Sequence, residues 1–269
     1  MLKYYYITNR PEVAEIADNN GVQRIFVDME YIGKDKRQPM DTVKNHHTVE
    51  DVRKVRKAVK NNELLVRINP LYSETKDEIE AVVDAGADII MLPMWNTADD
   101  VEAVLNLINK RTRLIPLLET QSAADALNNV LRLDCIDEIH IGLNDLSISQ
   151  HKKFLFQPLV DGTVDAFANK ILLSGKSFGV GGVGAVGNKI ALPAENILAE
   201  HYRLKSNAVI LSRAFCSAEN YESISAFEAD FVKRINANRE YENMLSSADG
   251  EYLNGMHSKT KQIISELVK

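Results

Sequence analysis

Eight short apolar runs alternate with segments of helical spacing along almost the whole of this 269-residue chain. The apolar runs fall at 2–8, 24–28, 64–68, 88–94, 114–118, 138–143, 177–181 and 208–211. They lack the polar–apolar alternation of a one-sided sheet, as expected of parallel strands covered on both faces. Helical spacing occupies 11–19, 48–59, 75–83, 97–108, 122–133, 164–173 and 193–204, and the first part of the region after Ser217 serves as an eighth helix. This order predicts an α/β fold, a closed (β/α)8 TIM barrel; an open doubly wound sheet is the rival that periodicity leaves standing.

The helix starts are marked by hydroxyl residues with an acid three positions on: Thr48 with Asp51, Thr75 with Glu78, Thr97 with Asp100 and Ser122 with Asp125. The hydroxyl accepts from an early backbone N–H, and the acid suits the positive helix end. Only the pair with Glu78 is a strict capping box. Beyond the barrel, apolar residues recur at Ile224, Phe227 and Phe231, then at Ile263, Ile264 and Leu267. The chain is therefore divided into a barrel domain, 1–234, and a helical extension, 235–269. The extension exceeds what a barrel needs, so it covers the barrel bottom or packs on a second copy, and a homo-oligomer is expected.

A 45% hydrophobic content supplies a sizeable core. A net charge of −6 argues against nucleic acid and anionic membrane as partners but permits a local cationic pocket. Cys135 and Cys216, far apart, form no CxxC pattern, which argues against a disulfide framework or a thiolate zinc site and fits a reducing, cytoplasmic setting. Asn9, Arg10 and Glu12 interrupt any apolar signal core at the start.

Chemistry gathers at the strand ends. Glu119 follows the fifth apolar run and Asp145 lies just past the sixth. Acids there are costly to bury unless paired or bound to a cation, and this edge of a parallel sheet is where ligands bind. Asp28 and Glu30 share one face after the second run, and Arg67 and Asn69 share one in the third. Three or four acids with one arginine, and no His/Cys cluster, suit Mg²⁺ or Mn²⁺. The alternative for the same residues is a salt-bridge network around Arg67, and Asn144 with Asp145 could simply cap a turn.

The remaining candidates are less specific. His46 and His47 precede a capped helix, either as solvated surface or as a base overhanging the mouth. His140 is expected to pack outward between strand and helix. The glycines from Gly179 to Gly184, Gly182 among them, match G-x-G-x-x-G, but the next helix opens only near Pro193 and no acid stands about 20 residues on. That leaves a tight turn or a loop approaching an anion, with Arg213 as a second anion contact.

Five segments carry a resemblance: FVDMEY at 26–31, VRINP at 66–70, GADIIMLPM at 86–94, LLETQSA at 117–123 and IGLNDLS at 141–147. In this order and spacing the chain resembles the metal-dependent class II pyruvate aldolases (hydroxy-oxo-dioate aldolases) and the citrate-lyase β chains, over roughly residues 21–215. The resemblance implies a TIM barrel, a divalent metal on Glu119 and Asp145, and Arg67 beside a bound keto acid or acyl group. Many aldolases of that family carry histidine where this chain has Tyr31. A phenol is a poor base at neutral pH, so His46 is the expected base, with Tyr31 as its competitor.

The expected activity is carbon–carbon bond cleavage or formation on a 2-keto acid, through a pyruvate enolate stabilised by the metal, with Asp28, Glu30, Asn69, Asn144, Gly182 and Arg213 around the substrate. The alternatives are a malyl- or citryl-CoA-type acyl-CoA lyase, with Lys34, Lys36 and Arg37 meeting the CoA phosphates, and a barrel that binds a carboxylate without turnover.

Overall fold

The computed structural model describes residues 1–34 and 47–269. Eight parallel strands close into a barrel in chain order. They are β1 (Lys3–Ile7), β2 (Arg24–Asp28), β3 (Glu63–Arg67), β4 (Ile89–Leu92), β5 (Arg113–Leu118), β6 (Glu138–Ile141), β7 (Ser177–Val183) and β8 (Ala208–Leu211). Closure is made by β8 on β1, where Lys3 stands opposite Ala208. The doubly wound alternative is thereby excluded.

Around the barrel run α1 (Pro11–Asn19), α2 (Val49–Ala58), α3 (Thr75–Asp84), α4 (Ala98–Ile108), α5 (Gln121–Val130), the short α6 (Leu143–Ser149), α7 (Thr163–Leu173) and α8 (Ala194–Leu204). Two longer helices follow, α9 (Ile224–Ser246) and α10 (Gly250–Leu267). Among the described residues no helix is long and apolar enough to cross a membrane.

Tyr5, Phe26, Leu65, Ile89, Met91, Ile115, Leu117 and Ala208 pack inside the barrel. At its N-terminal end Arg24, only 1% exposed, closes the interior. Its guanidinium donates to both oxygens of Glu138, at 2.7 and 2.9 Å, to Glu63 at 2.9 Å and to the Tyr5 hydroxyl. A charge so buried is tolerable only because all three of its nitrogens meet acceptors. The bottom is thus sealed, and the open C-terminal rim is left for chemistry.

His140 departs from expectation. It points inward, its ring 5.6 Å from that of Tyr5, beside Gly179 of β7 and Ala208 of β8. A Cβ at position 179 would collide with the imidazole, so this glycine makes room for the ring. The outward assignment carried strand parity on to Asp145, but β6 ends at Ile141 and α6 has begun by Leu143. Burial holds the imidazole neutral and lowers its pKa to about 4. The glycines also belong to a strand: Gly182 pairs with Ile210 inside β7, across a register shift, rather than lying in a loop after it.

The caps sort themselves by what else each acid must do. Thr48 with Asp51 and Thr97 with Asp100 form reciprocal capping boxes. The strict box does not form. Thr75 is already helical, and Glu78 turns instead to Asn69. At α5 the cap is Thr120, accepting from Ala123 N–H, rather than Ser122.

The boundary drawn at 234/235 falls inside α9, which runs unbroken from Ile224 to Ser246. Phe227, Phe231 and Ile235 of α9 are buried. Further along, Glu242 accepts from Leu2 N–H at 2.7 Å, and Arg239 donates to the carbonyls of Leu2 and Gly21. One helix therefore completes the outer ring and ties down the start of β1. α10 then packs on α8, with Asn196 donating to Thr260 at 3.0 Å and His257 beside the buried Glu200 at 2.9 Å.

Candidate active site

The ends of β2 and β3 hold a cluster of charge. Arg67 grips Asp28 with two parallel bonds, Nε to Oδ1 and Nη2 to Oδ2, both 2.8 Å. Its Nη1 lies 3.3 Å from Glu30 Oε2. Lys34, 5% exposed, donates to Asp28 Oδ2 at 3.0 Å and stands 3.5 Å from Glu30 Oε2. Burial pushes the Asp28 carboxyl up, but the Arg67 guanidinium and Lys34 ammonium overcome this and hold it far below the usual carboxylate range. The salt-bridge reading thus holds for Asp28 and Glu30.

Lys34 reaches the site because the chain doubles back behind β2. Gly33 adopts φ 78°, in the left-handed region open to glycine, and Lys34 N–H donates to the Tyr31 carbonyl at 3.2 Å. Asn69 braces the turn: its Oδ1 accepts from Tyr31 and Ile32 N–H, both at 3.0 Å. Its Nδ2 donates to Glu78 Oε1 at 2.8 Å. Expected to meet substrate, Asn69 has its amide engaged in holding this turn. Expected to meet CoA phosphates, Lys34 is buried among acids. Lys36, Arg37 and His46 lie outside the described residues.

Across the mouth, Glu119 follows β5 and is 2% exposed. Its Oε1 accepts from Met94 N–H at 3.0 Å. Met94 sits at φ 52°, an uncommon conformation for a side-chain-bearing residue, which strands its N–H toward the carboxylate. On the other side Gly142 leaves space: a Cβ there would come within 3.0 Å of the Glu119 Cβ and 3.1 Å of its Oε2. Burial, then the neighbouring charges of Glu30 and Asp145, push the Glu119 carboxyl up to about 8. Asp145, half-buried, comes from the first turn of α6.

Glu30 therefore joins two groups, the cation-rich cluster of Asp28, Arg67 and Lys34 and the acid pair of Glu119 and Asp145. Among the described residues, Asp28, Glu30, Glu119 and Asp145 share this mouth with Arg67 and Lys34. The acid pair supplies only oxygen donors. Among the described residues no three His, Cys, Asp or Glu side chains converge as a ligand cage. A hard divalent cation that takes one or two carboxylates and completes its shell from water and substrate fits such a site.

The other candidates spread around the rim. His47 Nδ1 accepts from Asp28 N–H at 3.0 Å, so the histidine props the end of β2. Tyr31 is 52% exposed. Asn144 is exposed on α6. Arg213 is exposed too, and with Arg10, Ser212 and His47 it lines a cavity of about 430 Å³ between the ends of β1 and β8. Lys34 and Glu78 were missed as site-building residues. Their one signal was an i, i+4 relation of Lys34 to Glu30.

With the geometry in view, the chain compares closely with one family. A model of the HpcH/HpaI aldolase/citrate lyase family matches residues 3–211. Among solved structures, an HpcH/HpaI aldolase/citrate lyase family protein from Burkholderia cenocepacia superposes with a TM-score of 0.62 at 16% identity, over 91% of this chain and 95% of that one. The citrate synthase SbnG gives 0.60 at 16% identity, over 85% and 92% of the two chains. An HpcH/HpaI aldolase from Desulfitobacterium hafniense gives 0.58 at 13%, over 93% and 94%. At such identities the superpositions speak for the fold. No sequence among curated proteins matches.

Proposed function

Because the chain belongs to the HpcH/HpaI aldolase/citrate lyase family, we propose that it is a carbon–carbon lyase that cleaves or forms an aldol of a 2-keto acid such as pyruvate. The observation that carries this reading is the pair Glu119 and Asp145, set at successive strand ends on the same mouth as Arg67. A Mg²⁺ or Mn²⁺ ion held by these two acids would supply Lewis-acid stabilisation of charge on the keto-acid oxygens. Arg67, pinned flat by its two bonds to Asp28, adds a fixed planar cation for the oxygen on which negative charge develops. It needs no reorganisation to do so, because Asp28 is itself held by Lys34 and by the turn behind β2.

The free keto acid is favoured over a CoA ester by the position of Lys34, which is buried against Asp28 and Glu30 and is thereby withdrawn from any phosphate. For the proton, His46 is the proposed base. His47 is the weaker choice, since its Nδ1 is already occupied by Asp28 N–H. Exchange of pyruvate methyl protons into deuterated water tests both proposals. Wild type with Mn²⁺ is expected to exchange, His46→Ala to lose most of the rate, and His47→Ala and Tyr31→Phe to keep it. No exchange by wild type at any pH would remove the aldolase reading; a wild-type rate in His46→Ala would remove only the base.

The chain is also proposed to assemble with copies of itself through α10. Tyr252 and Leu267 are exposed on this helix, which lies outside the barrel ring. Light scattering of the full chain against one ending at Ser247 is expected to show a smaller assembly for the shorter chain. A monomeric full-length protein would refute the assembly.

A further inference from the structure

Three residues of β7 run against two of β8, because Gly179 stands opposite Ala208 and Gly182 opposite Ile210. The extra residue makes a bulge, which turns a strand aside at one place. Gly181 lies in it at φ 46°, in the left-handed region. His140 holds the bulge from inside the barrel, with its Nε2 3.4 Å from the Gly181 carbonyl oxygen. The buried imidazole is neutral and carries one N–H, and a carbonyl only accepts, so that proton sits on Nε2.

Gly181 also presses against α6. A Cβ at position 181 would come within 2.6 Å of Leu143 Cδ1 and 3.0 Å of its Cγ, so the missing side chain lets this leucine sink against β7. Leu143 is buried, and it opens the turn of α6 that carries Asp145. The far end of α6 is fixed separately. Ser149 Oγ accepts from Gln121 N–H at 2.9 Å, and Gln150 donates to the Gln121 side chain at 3.0 Å. With that end tied to α5, a push at Leu143 tilts the first turn and carries Asp145 with it. Glu119 does not follow, because it belongs to the end of β5 and is held by Met94 N–H.

We propose that Gly181 and Leu143 are positioning residues for the divalent cation of the reading above, on which this inference rests: the glycine bulge of β7 seats the first turn of α6 and thereby sets where Asp145 stands opposite Glu119. A hard divalent ion makes short, narrowly defined bonds to carboxylate oxygens, so displacing one of two protein ligands lowers its affinity.

The test uses the full-length protein, Mn²⁺ binding by titration calorimetry, and a thermal melt without metal. Gly181→Ala is expected to raise the Mn²⁺ Kd about tenfold, as the loss of a group that orients a metal ligand does. Adding Leu143→Ala is expected to bring it back to within about threefold of wild type, because the new methyl then meets only the Cβ of position 143, 3.7 Å away and in ordinary contact. The melting temperature does not recover with it. The double variant keeps a side chain at positive φ and has lost a buried leucine, so it melts below wild type. Recovery of cation affinity without recovery of stability separates a positioning role from a merely structural one. Should Gly181→Ala fail to fold, His140→Leu decides instead: it keeps a buried side chain of similar volume, removes the N–H that holds the Gly181 carbonyl, and is expected to raise the Mn²⁺ Kd. The proposal is overturned if Gly181→Ala keeps the wild-type Kd, if the double variant binds Mn²⁺ as poorly as Gly181→Ala, or if His140→Leu, standing in for it, binds as wild type does. A wild-type protein that binds no Mn²⁺ removes the underlying reading and this role together. A wild type that binds it while the variants disobey removes this role alone.

Discussion

Arg67→Lys is expected to lower turnover by about 10² or more, by analogy with the loss of a preorganised oxyanion donor, and to leave a folded protein. The substitution keeps the charge and loses the fork. Arg67 holds Asp28 through two bonds of 2.8 Å while its third nitrogen lies 3.3 Å from Glu30, a spread that one ammonium cannot span. The fold survives because Asp28 keeps Lys34 as a partner at 3.0 Å, so no buried carboxylate is stranded. The measurement is kcat/KM for oxaloacetate decarboxylation or pyruvate aldol addition, with a thermal melt beside it. An unimpaired Arg67→Lys enzyme would show that the guanidinium is a brace for β2 and nothing more.

The barrel was legible because its signals are local and repeated. Apolar runs of strand length and helical spacing recur eight times, and the strand at Arg24–Asp28 and the helix at Pro11–Asn19 were placed to the residue. The acids at the mouth were legible because a strand end is a defined place in such a fold. Reading failed where a side chain serves a distant partner. The capping signature of Thr75 and Glu78 was sound as a local pattern, but Glu78 is drawn to Asn69, whose amide braces the turn behind β2. Lys34 read as a contact for CoA phosphates in a basic insert, because nothing local shows that Gly33 and Asn69 turn it back between two carboxylates. His140 failed for another reason, a parity count carried past the end of its strand. The glycines of β7 resembled an anion loop, yet Gly179 yields to His140, and Gly181 to Leu143 of α6.

Glu119→Gln is expected to act in opposite directions on the two forms of the protein. In the metal-free fold the Glu119 carboxyl is raised to about 8 by burial, with Glu30 and Asp145 adding to the effect. The unfolded chain releases this proton near pH 4.3, so between there and about pH 8 the unfolded state binds fewer protons and folding stability falls as pH rises. Integrated over that window, the loss is of the order of a few kcal/mol at the alkaline end. Glutamine does not titrate, and its amide oxygen can still accept from Met94 N–H, the bond that Glu119 makes at 3.0 Å. With chelator present, the variant should therefore match wild type near pH 5 and exceed it in urea midpoint at pH 8. With Mn²⁺ at about one hundred times its Kd, wild type at pH 8 should gain about 2.7 kcal/mol, a gain that the variant should lose along with turnover. Asp145→Asn is expected to lose the Mn²⁺ gain as well, with a smaller rise in metal-free stability, because its charge is one contributor to the Glu119 shift and not the buried group itself. Parallel pH profiles for wild type and Glu119→Gln without metal would show that the carboxyl is not a buried acid short of a cation. An undiminished Mn²⁺ gain in both variants would place the cation elsewhere.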